Sequence, residues 1–142
     1  MTGKVLTFYL GGLLFGLDIV AVKEIQRNIE YTPVPDSPAH IVGLFNMRGQ
    51  VVTLLDLAYL LNNGKEPEKG RAVCIVLKPR AEAPEHIGFL IDRTGSVVDI
   101  QDDISEGPPA NMSGELTRFV KEVVKLNEEL LMVIDSEVIF EQ

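Results

Sequence analysis

The chain has no tryptophan, and its 142 residues contain one cysteine and two histidines. A single cysteine cannot form an internal disulfide, which fits a cytosolic location. Cys74 lies within the apolar run 72–77 and is expected to be a small buried side chain. His40 and His86 have no cysteine or second histidine at ligand spacing. The sequence therefore predicts no metal site and no bound cofactor.

Positive charge is also scarce. There are 13 Lys and Arg against 21 Asp and Glu, which gives a net charge of −8. Such a surface repels phosphate backbones and anionic lipids, so nucleic-acid binding and direct membrane insertion are not expected. No run approaches the roughly 18 uninterrupted apolar residues that cross a bilayer, and the first residues lack the apolar core of a signal peptide. We therefore expect a cytoplasmic protein.

Most of the patterns in the rest of the sequence are those of β-strands. Apolar runs bounded by glycine, proline and charged residues predict strands: 5–10, 13–17, 41–45, 51–55, 72–77 and 87–91. Gly11 and Gly12 predict a turn between the first two. Thr32 to Pro38 contains three prolines and should be extended or turning. Asp56 is expected to cap a short helix, Leu57 to Leu61.

The segment from Ser113 to Leu126 carries two conflicting signals. Its apolar residues have the spacing of a helix face: Leu116, Phe119, Val120, Val123 and Val124. An internal repeat instead aligns its second half with a strand. We predict strand from about Val120, and a short helix before it stays open.

The repeat rests on short runs that end in aspartate. Asp18 aligns with Asp92 at an offset of 74 (92 − 18), and Asp56 aligns with Asp135 at an offset of 79 (135 − 56). Asn46 has an echo in Asn127, at an offset of 81 (127 − 46). The order of elements is preserved between the halves, which favours a duplicated small β module over chance.

The sequence contains no recognisable catalytic motif. Asp56 and Asp135 follow apolar strands, where an acid pair could lie, but helix capping explains them better. Asp18 and Asp92 are given the same explanation. A small β-barrel enzyme that uses Asp56 or His40 is kept as a less favoured alternative.

The most informative stretch is the turn Asn46-Met47-Arg48-Gly49 between two apolar runs. Gly49 allows the positive φ that a tight turn requires. The Arg48 guanidinium is fixed by two strands and can offer its planar fork to a carboxylate. That carboxylate can belong to a partner or to the same chain, and both alternatives are open.

Several stretches together resemble the CheW family, the coupling proteins of bacterial chemotaxis, and the CheW-like regulatory domain of the histidine kinase CheA. The most specific is 41–49, Ile-Val-Gly-Leu-Phe-Asn-Met-Arg-Gly, followed by Leu54-Leu55-Asp56-Leu57. The others are 15–19, 22–25, 32–35, 88–92 and 131–135. The resemblance covers essentially the whole chain. Thr53 stands where the family commonly has proline, and Met47 replaces the usual leucine.

The resemblance implies a mostly β fold of two intertwined SH3-like five-stranded barrels with short helices. Residues 1–142 would form one CheW-like domain, with barrel subdomains at roughly 15–85 and at 1–14 plus 86–142. It further implies a non-catalytic adaptor between the cytoplasmic tips of chemoreceptors and the regulatory domain of a CheA-type kinase. We expect a stand-alone cytoplasmic adaptor, monomeric when free and recruited to membrane receptor arrays. The same scaffold in another chemosensory pathway is the other alternative.

Site residues follow from the resemblance position by position. It places five residues at or near a receptor-facing groove: Ile19, Val22, Glu24, Gly43 and Val97. It gives Arg48, Ala72 and Val73 an influence on receptor or kinase coupling. Core packing explains Val22, Val73 and Val97 equally well, whereas Glu24 and Arg48 are charged residues beside strand ends and are favoured.

Overall fold

The computed structural model of the protein describes residues 3–61, 73–80, 85–101, 105–106, 114–126 and 129–142. Its strands are β1 (Gly3–Leu10), β2 (Leu13–Asp18), β3 (Val22–Gln26), β4 (Ile41–Met47), β5 (Gln50–Leu55), β6 (Val73–Leu77), β7 (His86–Ile91), β8 (Arg93–Ile100), β9 (Ser105–Glu106), β10 (Val120–Leu126) and β11 (Glu129–Ile134). Its helices are α1 (Leu57–Leu61), α2 (Gly114–Phe119) and α3 (Ser136–Phe140), with one 3-10 turn, Ile19–Ala21. Among these residues no helix is long and apolar enough to cross a membrane.

The chain forms two compact units, each built on one sheet. Unit 1 comprises Met1–Ala21 and Arg93–Gln142, and unit 2 comprises Val22–Asp92. The sheet of unit 1 has the order β8-β1-β2-β11-β10-β9, and that of unit 2 the order β3-β6-β7-β5-β4. The mostly β fold is thus confirmed, with the two-residue strand β9 as an unexpected sixth member of the first sheet.

Each unit has its own apolar core. In unit 1 a buried cluster is formed by Val5, Leu14, Ile100, Val124, Leu131 and Val133. In unit 2 the cluster consists of Phe45, Met47, Val52, Leu54, Cys74, Val76 and Leu90. Cys74 is fully buried, as the sequence predicted, and burial raises the pKa of its thiol to about 12.

The repeat with the offset of 79 is visible in the pairing of the strands. In β4 and β5, Ile41 opposes Leu55 and a bulge follows; in β10 and β11, Val120 opposes Ile134 and a bulge follows. The same offset relates both partners (120 − 41 and 134 − 55). The Asp56 N–H donates to the His40 carbonyl, and the Asp135 N–H donates to the Phe119 carbonyl. A duplicated hairpin therefore ends each half.

The repeat in the other strands has a different offset from the one expected. Leu54 pairs with Gly88, and its equivalent Val133 (133 − 54 = 79) pairs with Gly16. Gly16 and Gly88 are therefore equivalent, at an offset of 72 (88 − 16). The expected offset of 74 between Asp18 and Asp92 is wrong. Matching the aspartates by residue type shifted this part of the alignment.

The echo of Asn46 in Asn127 does not hold either. Asn46 opposes Val51, and the pair at the offset of 79 from them is Lys125 with Leu130. Asn127 lies outside the described residues, but the strands on both sides of it keep the offset of 79. Asn46 is therefore equivalent to Lys125.

The boundaries of the units also differ from the expected ones near residues 15 and 85. β2 pairs with β1 along its whole length across a two-residue turn, Gly11-Gly12, so it stays in unit 1. β7 pairs with β5 and β6, so it stays in unit 2. The chain changes units after Ala21 and after Asp92 instead.

Three of the four expected caps are confirmed. An Asp18 carboxylate oxygen accepts from the Val20 N–H in the 3-10 turn, Asp56 accepts from the Tyr59 N–H at 3.0 Å, and Asp135 accepts from the Glu137 N–H at 3.0 Å. The expectation for Asp92 is wrong, because β8 begins at Arg93 and no helix follows the aspartate.

Loss of the buried cap should cost measurable stability. Asp56 is buried at the start of α1, so Asp56→Ala removes the acceptor of the Tyr59 N–H, and we expect a loss of about 1–2 kcal/mol in the free energy of unfolding. Urea unfolding followed by circular dichroism measures this. Asp135→Ala, at the equivalent cap of α3, should cost less because Asp135 is only half-buried. Equal losses for both variants would contradict the role of burial.

Candidate partner-binding site

The arginine turn is a two-residue hairpin loop. Met47 opposes Gln50, so Arg48 and Gly49 alone connect β4 and β5. Both have positive φ, 52° and 86°, as the twist of such short hairpins requires. The Asn46 side-chain oxygen accepts from the Gly49 N–H at 2.8 Å and so fixes the loop. The positive φ of Arg48 and the role of Asn46 were not predicted, although an asparagine shortly before a glycine is a known turn signal.

The Arg48 guanidinium pairs with Glu24 in a two-pronged arrangement. Arg48 Nη1 donates to Glu24 Oε1 at 3.0 Å, and Nη2 donates to Glu24 Oε2. Glu24 lies on β3, at one edge of the unit 2 sheet, while the turn belongs to the hairpin that carries the other edge strand, β4. The pair therefore links the two ends of the sheet. Of the two open alternatives for Arg48, the structure shows a carboxylate of the same chain.

Further polar contacts extend this link. The Gln26 amide donates to Glu24 Oε1, and Lys23 Nζ donates to Gln50 Oε1 at 3.2 Å. The Arg48 side chain is 66% exposed and the Glu24 side chain 23%. The link thus has an accessible cation above a partly shielded carboxylate, which suits contact with a charged partner.

The hydrogen bonds from Arg48 are the main cause of a lowered pKa for the Glu24 carboxyl, and the Gln26 bond lowers it further. The same pair raises the pKa of Arg48, which stays protonated throughout. Because the pKa of Glu24 is lower in the folded protein than in the unfolded chain, its ionised form stabilises the fold.

This pKa shift predicts a pH dependence. The contribution of Glu24 to stability is fully present above its ordinary pKa of 4.5 and is lost as the pH falls through the lower folded value. We expect the stability difference between the wild type and Glu24→Gln to shrink from pH 7 towards pH 3, measured by urea unfolding. A difference that stays constant across this range would show that the ion pair does not set the pKa.

Gly43, another of the predicted residues, has a packing role in the structure. It is buried on β4, and a Cβ atom there would collide with the Thr32 carbonyl. Thr32 and Leu44 exchange backbone hydrogen bonds of 2.8 and 2.9 Å, which hold the segment of Tyr31 and Thr32 against the sheet edge. Gly43 therefore positions this segment and does not present a side chain to a partner.

The other predicted residues of unit 2 are dispersed. Val22 opposes Leu77 on β3 and is separated from Glu24 by a bulge, and Val73 opposes Ile91 at the start of β6. Both are half-buried, so neither is plain core. Ala72 lies outside the described residues. Of the predicted residues that the structure describes in this unit, Glu24 and Arg48 are joined by hydrogen bonds.

Ile19 and Val97 belong to unit 1. Ile19 is half-buried in the 3-10 turn, and Val97 on β8 is 47% exposed opposite Leu6. Val20, which the same turn presents at 65% exposure, was not predicted from the sequence. The apolar pattern of the sequence does not predict the exposure of Val20, since the adjacent apolar residue Ile19 is half-buried in the same short turn.

A second candidate surface lies at one end of the unit 1 sheet. Leu13 is 50% exposed at the start of β2 and Leu130 is 51% exposed on β11. They line an apolar cavity of about 420 Å³ with Gly12, Leu14, Val123, Glu129 and Met132. Exposed leucines that share one cavity are typical of protein–protein contact sites.

The residues kept for an enzymatic alternative have structural tasks. The Asp56 carboxylate caps α1, and His40 contributes its backbone carbonyl to the Asp56 N–H. Among the described residues no group of three or more His, Cys, Asp or Glu side chains could hold a metal ion.

Two β units with the same strand order, an accessible ion pair and exposed apolar side chains are the features of a protein-binding module. The family model for the CheW-like domain matches residues 4–142. A chemotaxis protein CheW from Treponema pallidum is 28% identical, with 96% of this chain and 81% of that protein covered. One from Rhizobium meliloti is 24% identical over 96% of this chain and 86% of its own length.

The fold agrees with these relatives. The crystal structure of the scaffolding protein TtCheW from Thermoanaerobacter tengcongensis superposes with a TM-score of 0.79. Sequence identity is 26%, and 95% of this chain and 90% of that chain are covered. The chain belongs to the CheW-like domain family and is a chemotaxis coupling adaptor, as the resemblance predicted.

Proposed function

We propose that the protein bridges the cytoplasmic tips of chemoreceptors and the regulatory domain of a CheA-type histidine kinase, without turnover of its own. It would be monomeric and cytoplasmic when free and would join receptor arrays through these two partners. The observation that carries the proposal is the match of the family model to nearly the whole chain. The use of this scaffold in another chemosensory pathway differs only in the identity of the partners.

The end of unit 1 at Leu13 and Leu130 is proposed to dock the kinase. The regulatory domain of such kinases is itself CheW-like, so it can offer a barrel of similar shape. Two exposed leucines beside an apolar cavity supply area that is buried on docking, and one well-packed anchor can dominate the affinity.

Calorimetric titration with the regulatory domain of the kinase from the same organism tests this docking. We expect saturable one-to-one binding that Leu130→Ala weakens about ten-fold. Val51→Ala is the matched control, because Val51 is the equivalent residue of unit 2 and is 57% exposed. Absence of binding by the folded wild type would contradict the adaptor proposal, and equal effects of both variants would contradict the assignment to unit 1.

The receptor is proposed to contact the predicted set of Ile19, Val22, Glu24, Arg48 and Val97, with Val20 added. Exposed valines can anchor a helix, and the charged pair can set its register. Ala72 and Val73 keep their proposed influence on coupling, and Gly43 contributes by positioning Tyr31 and Thr32.

A further inference from the structure

Unit 1 contains a cleft where unit 2 has its polar link. The cleft has a volume of about 540 Å³, and its lining includes Tyr9, Gly95, Ser96, Val98, Leu126 and Glu129. Val98 and Leu126 are half-buried beside the core of the unit. The lining therefore combines an apolar floor with one exposed carboxylate.

The duplication shows what occupies the same place in unit 2. Val5 opposes Asp18 and Cys74 opposes Leu90, and Asp18 and Leu90 are related by the offset of 72 (90 − 18), so Val5 and Cys74 are equivalent. Val98 opposes Val5 and Gln26 opposes Cys74, so β3 and β8 share the offset of 72 (98 − 26). Gly95 is then equivalent to Lys23, and Ser96 to Glu24. Glu129 is equivalent to Gln50, with the offset of 79 (129 − 50). In unit 2 the Lys23 ammonium donates to Gln50, whereas unit 1 has a carboxylate at the position of the acceptor and a glycine at the position of the cation.

The chain cannot supply that cation from position 95. A Cβ atom on Gly95 would collide with Thr7 Oγ1, which is buried and donates to the Ser96 carbonyl at 2.5 Å. The equivalent of Arg48 falls at position 127, which lies outside the described residues and is an asparagine in the sequence.

The Glu129 carboxylate is exposed and lies in the lining of the cleft. Among the described residues the carboxylate accepts hydrogen bonds from the Tyr9 hydroxyl, at 3.3 and 3.4 Å. The Arg93 guanidinium lies over the Tyr9 ring, 3.8 Å from its centre. A carboxylate beside an apolar floor fits a cation on an aliphatic stem.

We propose that this cleft binds a lysine side chain of a partner protein, with the ammonium on Glu129 and the methylene stem against Val98 and Leu126. The guest ammonium takes the place that Lys23 occupies in unit 2. The cleft shares Leu14 and Glu129 with the lining of the cavity at Leu13 and Leu130, and the proposal does not depend on the identity of the kinase or the receptor.

NMR titration of the full chain tests the chemistry of the site. The probes are n-butylammonium, n-butanol at matched ionic strength, and a capped Ala-Lys-Ala peptide with its acetyl-lysine counterpart. We expect saturable shifts of the Tyr9, Gly95, Ser96 and Leu126 amides with butylammonium and the lysine peptide only. Glu129→Gln should weaken both about ten-fold, whereas Glu85→Gln, an exposed carboxylate of unit 2, should leave them unchanged.

Each other result overturns the proposal. Shifts that Glu129→Gln does not reduce would remove the role of the carboxylate. Equal shifts with butanol or acetyl-lysine would show an apolar cleft without charge selectivity. Binding of butylammonium without the lysine peptide would show that a lysine borne on a protein cannot enter. Tyr9→Phe, which removes the hydroxyl that holds Glu129, should weaken binding less than Glu129→Gln does.

Discussion

Gly88→Ala is expected to lower the free energy of unfolding by about 1–3 kcal/mol, the usual cost of overpacking a core. Gly88 lies on β7 between β5 and β6. A Cβ atom there would lie 2.6 Å from Cys74 Sγ and 3.1 Å from the Ile75 carbonyl oxygen. Cys74 is fully buried and cannot move aside without disturbing the rest of its cluster.

A double-mutant cycle identifies the cause of this loss. Cys74→Ala removes the sulfur that the new methyl group meets. The double variant Gly88→Ala with Cys74→Ala should therefore lose about 1 kcal/mol less free energy of unfolding than the two single variants lose together. Urea unfolding followed by circular dichroism measures all four proteins. Strictly additive losses would show that the sulfur contact is not responsible.

Unit 1 offers the same cycle at its equivalent position. A Cβ atom on Gly16 would collide with Val5 Cγ1 and lie 3.0 Å from Leu131 Cδ1. Gly16→Ala should therefore destabilise the protein as Gly88→Ala does, and Val5→Ala should relieve part of the loss. Opposite results in the two units would contradict the equivalence of the two glycines.

Local signals in the sequence predicted most strands and helix α1. The helix Leu57–Leu61 has the predicted bounds, because the Asp56 cap and the apolar pattern agree there. Strand β10 begins at Val120 against a helical spacing of apolar residues, because the repeat carries information on tertiary pairing that local periodicity lacks. Helix α2 precedes it and occupies Gly114–Phe119.

Features that depend on strand pairing could not be predicted. The offset of 72 (88 − 16) is fixed by which residues oppose each other across β2, β11, β5 and β7, whereas matching aspartates by type gave 74 (92 − 18). The contact of Glu24 with Arg48 joins elements that are not neighbours in the sheet order. Charge and position singled out both residues, but their pairing required the fold.

Equivalent positions in the two units carry different side chains and form different features. In unit 2 the ends of the sheet are linked by Glu24, Arg48, Lys23 and Gln50. In unit 1 small residues at the positions of Lys23 and Glu24 leave a cleft. A duplicated module can thus keep its strand order while one copy retains an internal polar link and the other an open cleft.

Reversal of the charges of the Glu24–Arg48 pair should separate its structural task from its binding task. Arg48→Glu and Glu24→Arg each place two like charges in side-chain contact, so each should lower stability. Each should also weaken binding of the receptor tip by about ten-fold or more, since a charge that meets a partner is reversed. The double variant, Glu24→Arg with Arg48→Glu, restores an ion pair of opposite polarity.

We expect the double variant to regain most of the lost stability but not the lost receptor binding, because the exposed end of the pair is then a carboxylate where the partner meets a guanidinium. Urea unfolding and calorimetric titration with a receptor signalling-tip fragment measure the two quantities. Lys4→Asp with Asp99→Lys is the control, since this pair on unit 1 is 3.1 Å long and highly exposed, and neither quantity should change. Recovery of full binding by the Glu24 and Arg48 swap would show that the pair only closes the sheet and that neither charge contacts the receptor.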